Sequence, residues 1–227
     1  YRNVMLYNIN LKRQSALSKL NAIKCLIIAM IGIFSCFSVN AAENKTILAF
    51  GDSLTAGYGL APGEGFTVQL EKKLNEKGLT SKVINAGVSG DTTSGGSARL
   101  DWVLSSYNDI DLVILTLGGN DALRGINPKV TRSNMDKMLK VLTDKKIPTL
   151  IGGMMAPPNL GQIYGNDFNS IFADMAEKHN VALYPFFLDG VAGIQDLNQR
   201  DRIHPNPDGV DIITEKMSPV IINLLKE

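Results

Sequence analysis

Cysteine is nearly missing from this chain of 227 residues: Cys25 and Cys36 are its only two, and no thiol follows them. That excludes a disulfide scaffold, a cysteine nucleophile and a cysteine-based zinc site downstream, so stability must come from a packed core. Histidine is almost as scarce, with only His179 and His204. They lie far apart and no His-Glu-x-x-His pattern is present, so no metal set is recognisable. Gly57-Tyr58-Gly59 is not followed by Gly-Lys-Ser/Thr, which argues against a nucleotide phosphate loop. Clustered positive charge is absent too. Arg2, Lys12, Arg13, Lys19 and Lys24 precede residue 42 while all 22 acidic residues come after it, so the remainder has 18 basic against 22 acidic side chains, a net charge of −4. Nucleic acid is therefore not an expected partner, because phosphate recognition needs clustered Lys and Arg.

A long hydrophobic run is also lacking. The apolar stretch from Cys25 to Val39 falls short of the roughly 20 residues that span a bilayer, and Gly32, Ser35 and Ser38 interrupt it. With a basic lead-in before it and the small residues Ala41 and Ala42 after it, the stretch reads as an export signal cleaved after Ala41 or Ala42. An uncleaved anchor is one alternative. Lipidation at Cys36 is another, although bulky Phe34 stands where such sites carry a small residue. The expectation is a signal with an N-terminal extension over 1–41 and one periplasmic or secreted domain over 42–227, with no stable membrane insertion after cleavage. The 186 residues beyond Ala41 suit one domain better than two. Sequence leaves the oligomeric state unknown, with a monomer favoured.

What is present is an alternation of short aliphatic runs with longer stretches of helical period, the pattern of parallel strands joined by crossover helices. Strands are predicted at Thr46 to Phe50, Lys82 to Ala86, Asp111 to Leu117, Thr149 to Gly152 and Val181 to Tyr184. Helical stripes follow at Phe66, Leu70 and Leu74, at Met135, Met138, Leu139 and Leu142, and at Phe168, Ile171, Phe172, Met175 and Ala176; these are read as core. Asn206-Pro207 should cap a last helix that Pro219 kinks or ends. The prediction is one three-layer α/β/α domain on a mostly parallel five-stranded sheet. In such sheets ligands bind beyond the carboxyl ends of the strands.

Ser53, Gly90, Asn120, Met154 to Leu160, and Asp201 with His204 all follow predicted strands, and so gather on that edge. Taken singly, Asp52-Ser53, Gly90-Asp91-Thr92-Thr93 and Gly118-Gly119-Asn120-Asp121 are ordinary caps and turns. Their coincidence at three strand ends points to chemistry. A serine hydroxyl needs a neighbouring imidazole to take its proton, and the imidazole needs a third group to fix its tautomer. Ser53, His204 and Asp201 can fill those roles, since residues three apart on a helical turn share a face. Backbone N–H groups of Ser53 and Gly90 and the amide of Asn120 are candidate oxyanion donors. Gly90 is expected to leave room for substrate. His179, at a predicted helix C-terminus, is read as structural. Thr55 breaks the Gly-x-Ser-x-Gly elbow.

Gly51-Asp52-Ser53-Leu54, Gly90, Gly119-Asn120-Asp121 and Asp201-x-x-His204 together resemble the four blocks of the SGNH, or GDSL, hydrolases, over essentially all of 42–227. Within that family the stretches Gly51 to Gly59, Leu117 to Gly125 and Tyr184 to Phe187 are most similar to the bacterial thioesterase I/lysophospholipase I branch and related arylesterases. The loop Met154 to Leu160 is nearer to the arylesterases. The resemblance implies a flavodoxin-like fold, no cofactor, and hydrolysis of acyl esters or thioesters. It also implies Ser53 as nucleophile, Asp201 and His204 as its partners, and Ser53, Gly90 and Asn120 as the oxyanion hole. Apolar residues beside the motifs, Tyr58, Leu123, Met155, Pro157 and Leu160, are the candidate substrate contacts. A deacetylase and a non-catalytic exported binding module are the competing expectations.

Overall fold

Runs of branched and aliphatic residues too short for a stable helix bury themselves by pairing, and five of them do so among the described residues. The computed structural model describes residues 44–226; the expected signal over 1–41 lies outside the described residues. The strands are β1 (Lys45–Gly51), β2 (Ser81–Gly87), β3 (Leu112–Thr116), β4 (Thr149–Gly152) and β5 (Ala182–Tyr184), in the sheet order β2-β1-β3-β4-β5. Each agrees with its predicted bounds to within one residue at either end. All four pairings are parallel, so the sheet expected to be mostly parallel is wholly so. All five residues of the middle strand β3 are buried, as a strand covered on both faces requires.

Among the described residues six α-helices lie between the strands and a seventh follows β5: α1 (Ser53–Ala56), α2 (Phe66–Glu76), α3 (Thr93–Ser105), α4 (Gly119–Leu123), α5 (Pro128–Asp144), α6 (Gln162–His179) and α7 (Pro207–Leu224). Helix α2 packs on α7, while α5 packs on both α3 and α6. Right-handed crossovers from a strand order that reverses at β1 put these groups on opposite faces, giving the expected three layers. The predicted stripes supply the core: Phe66, Leu70, Leu74, Met135, Met138, Leu139, Leu142, Phe168, Ile171 and Phe172 are essentially inaccessible.

Local signals set the helix ends. Asn206 accepts from the N–H of Gly209 at 3.0 Å, with Pro207 in the first helical position, as expected. Pro219 does not end α7, which runs on to Leu224. Proline deprives the carbonyl four residues earlier of its helical donor, and here the Ser218 hydroxyl donates to that Glu215 carbonyl at 3.2 Å. Among the described residues no helix is long and apolar enough to cross a membrane.

Ile114, on the middle strand, is fully buried. Ile114→Ala is expected to lower unfolding free energy by about 2–5 kcal/mol in urea titrations, and a loss under about 1 kcal/mol would mean that the helices close over the void.

Candidate active site

Strand β1 ends at Gly51, and Asp52 caps the one-turn helix α1 by accepting the N–H of Leu54 at 3.0 Å. This turns the chain sharply at Ser53 and aims its hydroxyl off the sheet edge. Across 151 residues of sequence, Nε2 of His204 lies 2.9 Å from Ser53 Oγ. Nδ1 of the same ring lies 2.6 Å from Asp201 Oδ2. With the Nδ1 proton donated to Asp201, Nε2 is left as acceptor for the Ser53 hydroxyl.

The loop carrying the pair is not the helical turn that the spacing suggested. Arg202 adopts a left-handed conformation, φ +61°, and Asp201 Oδ1 accepts the N–H groups of Ile203 at 2.9 Å and His204 at 3.1 Å. An aspartate folding back on its own loop makes the same contact by another route. Burial would raise the Asp201 carboxyl. Those two N–H groups and the His204 ring outweigh it, and hold the group below the ordinary aspartate value. The side chain of Gln199 then ties this loop to the segment after Ser53: its amide donates to Tyr58 O at 2.8 Å and Pro205 O at 3.0 Å.

Of the three expected oxyanion donors, the N–H groups of Ser53 and Gly90 have no acceptor among the described residues. Asn120 differs. Its amide donates to the Asp91 carbonyl at 3.0 Å and to Asp52 Oδ2 at 3.3 Å, so serving an oxyanion means giving up the longer bond. Gly90 sits at φ +81°, and a Cβ there would meet nothing nearer than Arg124 at 3.5 Å. Glycine is favoured at this position by the backbone conformation. Arg124 donates to the Gly90 carbonyl at 2.7 Å from the solvent side.

Several neighbours carry no signal that their residue type alone reveals. Buried Asp121 accepts from the Thr93 N–H at 2.9 Å, the Thr93 hydroxyl at 2.5 Å and the Thr131 hydroxyl at 3.0 Å, locking α3, α4 and α5 together. Asp52 is 1 % exposed, and burial pushes its carboxyl up to about 6 despite the Leu54 N–H, the His204 charge and the Asn120 amide. His179 pairs instead with Asp136 at 2.6 Å on the α5–α6 side, as a structural reading expects.

The expected substrate contacts are all at least partly exposed. Tyr58 leans over His204, ring centroids 4.7 Å apart, and is half exposed, as are Leu123 and Met155; Pro157 and Leu160 are partly buried. A depression of about 310 Å³ lined by Tyr107, Asp109 and Lys146 lies at the opposite, amino edge of the sheet and holds none of these residues. Among the described residues no three His, Cys, Asp or Glu side chains converge as metal ligands.

The profile of the GDSL-like lipase/acylhydrolase family matches residues 49–212. The chain is 37 % identical to esterase TesA of Pseudomonas aeruginosa over 81 % of its length and 91 % of the relative's. It is 36 % identical to an arylesterase of Vibrio mimicus over 85 % and 96 %. It is 34 % identical to the thioesterase 1/protease 1/lysophospholipase L1 of Escherichia coli over 78 % and 84 %. The crystal structure of the SGNH-hydrolase family esterase AlinE4 superposes with a TM-score of 0.69 at 46 % identity, covering 80 % of this chain and 96 % of that one.

Asp52 binds its proton more tightly folded than unfolded, so stability falls as pH rises from about 4 to about 6. Asp52→Asn retains the acceptor for Leu54 but cannot ionise. Its stability relative to wild type is expected to climb by about 3 kcal/mol from pH 4 to pH 7, as read from paired urea titrations; a constant difference would show that Asp52 does not titrate there.

Proposed function

The chain belongs to the GDSL-like lipase/acylhydrolase family, and we propose that it hydrolyses acyl esters through a covalent intermediate on Ser53. The carrying observation is the relay from Asp201 through His204 to Ser53, with bonds of 2.6 Å and 2.9 Å. His204 Nε2 takes the Ser53 proton as Oγ attacks the substrate carbonyl carbon. Negative charge developing on the carbonyl oxygen meets the N–H groups of Ser53 and Gly90, and Asn120 swings its amide from Asp52 to the same oxygen. The alcohol or thiol leaves with the proton held by His204, and water repeats the sequence on the acyl-enzyme. Ionised Asp201 holds the ring orientation and stabilises its positive charge in both halves. Ser53→Ala is expected to lower kcat on p-nitrophenyl butyrate by about 10⁴-fold or more with the fold intact. A residual rate within tenfold of wild type would remove Ser53 from the mechanism.

The substrate class is acyl esters and thioesters with an apolar acyl group. The relatives named as arylesterase and as thioesterase and lysophospholipase support both leaving groups. The large, half-exposed side chains of Tyr58, Leu123 and Met155 support binding of an apolar acyl group, with Pro157 and Leu160 as further candidate contacts. Met155→Ala and Leu160→Ala are each expected to move the optimum along a p-nitrophenyl acetate-to-palmitate series. If both leave the series unchanged, the acyl group lies elsewhere. Residues 1–41 act as an export signal in this reading and the domain works beyond the inner membrane, which N-terminal sequencing of the exported protein tests.

A further inference from the structure

A partly buried guanidinium behind the Gly90 loop has no part in the relay. Arg99, on α3, donates from Nε to Asp91 Oδ2 at 2.7 Å, from Nη1 to the Ala86 carbonyl at 2.9 Å and from Nη2 to the Gly51 carbonyl at 2.9 Å. Its Cζ lies 3.9 Å over the Phe50 ring. The side chains of Arg99 and Asp91 are 18 % and 10 % exposed, so solvent screens their pairing little. The three acceptors are not scattered. Gly51 precedes Ser53 by two residues, Ala86 lies at the end of β2 on the approach to Gly90, and Asp91 follows Gly90 while its carbonyl accepts Asn120. Each candidate oxyanion donor therefore lies on, or is hydrogen-bonded to, a short segment that Arg99 grips.

We propose that Arg99 is the positioning residue of the oxyanion hole, setting through Asp91 and two strand-end carbonyls the spacing between the Ser53 N–H, the Gly90 N–H and the Asn120 amide. The planar fork is what allows one side chain to serve acceptors on three segments; an ammonium at that point keeps the charge and loses the geometry. Gly95 gives independent support. It occupies the first turn of α3, where glycine weakens a helix by up to about 1 kcal/mol relative to alanine. Its backbone is not left-handed, and a Cβ on it would overlap Asp91 Oδ1. The space left by glycine is filled by the carboxylate that Arg99 holds. Arg124 grips the same loop from outside by the single bond to the Gly90 carbonyl, in solvent, and has no comparable reach.

This inference rests on Ser53 being the nucleophile, and the test separates the two. Arg99→Lys breaks the fork, while Gly95→Ala leaves both ionic partners chemically intact and displaces the Asp91 carboxylate. Both variants are compared with wild type for kcat and KM on p-nitrophenyl butyrate and for inhibition by an alkylboronic acid, which adds to a serine oxygen and places a tetrahedral oxygen in the hole. Removing one donor outright costs about 10²–10³ in kcat; misplacing the donors is expected to cost about tenfold to a hundredfold in Arg99→Lys and about fivefold or more in Gly95→Ala. KM should change less than about threefold, and boronate affinity should weaken in proportion to kcat/KM. Folded variants with kcat within twofold of wild type overturn the proposal, as does a rate loss with undiminished boronate affinity or a rise in KM alone. If Arg99→Lys does not fold, Gly95→Ala decides, because alanine strengthens the helix while disturbing the carboxylate. Wild type that forms no boronate adduct on Ser53 would instead overturn the assignment of the nucleophile.

Discussion

The ladder between β1 and β3 is the constraint from which the site follows. It pairs Gly51 with Thr116, so that Asp52-Ser53 and the turn leading to Asn120 leave the sheet side by side. The strand order reverses here: β2 lies on one side of β1, and β3, β4 and β5 follow on the other. Helices departing to opposite faces leave a crevice above the parting strands. Parallel strands also expose all their carboxyl ends on one edge, which is why a serine after β1, a glycine after β2, an amide after β3 and an imidazole after β5 can gather there.

Two aspartates within this crevice have opposite fates, and their surroundings decide which. Asp201 sits in an exposed loop and accepts two backbone N–H groups as well as the imidazole, so its charge is favoured. Asp52, next to the nucleophile, is sealed beneath α1 and α4, with one backbone donor and a long bond from Asn120, and burial dominates. A stable anion beside His204 is what proton transfer requires. In the proposed mechanism the bond surrendered to substrate is the longer of the two that Asn120 makes, the 3.3 Å one to Asp52.

Strands and stripes were legible in the sequence because burial on both faces of a parallel sheet leaves unbroken aliphatic runs, and a single buried helix face leaves a stripe. Ser53, Asp201 and His204 were legible because the chemistry of a serine nucleophile demands those types and histidine is so rare here. The contacts made by backbone and by shape were not. Asp201 reaches His204 through a left-handed residue at 202 that spacing does not disclose, and Pro219 is accommodated because the preceding residue happens to carry a hydroxyl. Arg99 carried no signal in the sequence and Asp91 read only as part of a turn or cap; the fold brings the guanidinium to the ends of β1 and β2. The left-handed backbone at Gly90 was likewise not legible from residue type alone.

The scarcity of cysteine bears on the loop that matters most. His204 lies in irregular chain after the last strand, a region free to fray unless tied down, and no disulfide is there to tie it. Its place is fixed by hydrogen bonds instead. Gln199 N–H donates to the His204 carbonyl at 2.8 Å and Asn206 N–H to the Leu197 carbonyl at 3.0 Å, closing a narrow antiparallel bridge between Asn198 and Pro205. The Asn198 amide donates to Val191 O and Ile194 O, both at 2.7 Å, anchoring the base of the bridge, and Gln199 crosses to Tyr58 at the mouth. Each such bond adds only about 1 kcal/mol net. They act on one short segment with Asn206 capping α7 directly behind it, so displacing the imidazole means breaking several at once. Rigidity at the base is thus distributed among amide side chains, an arrangement that works equally under oxidising and reducing conditions.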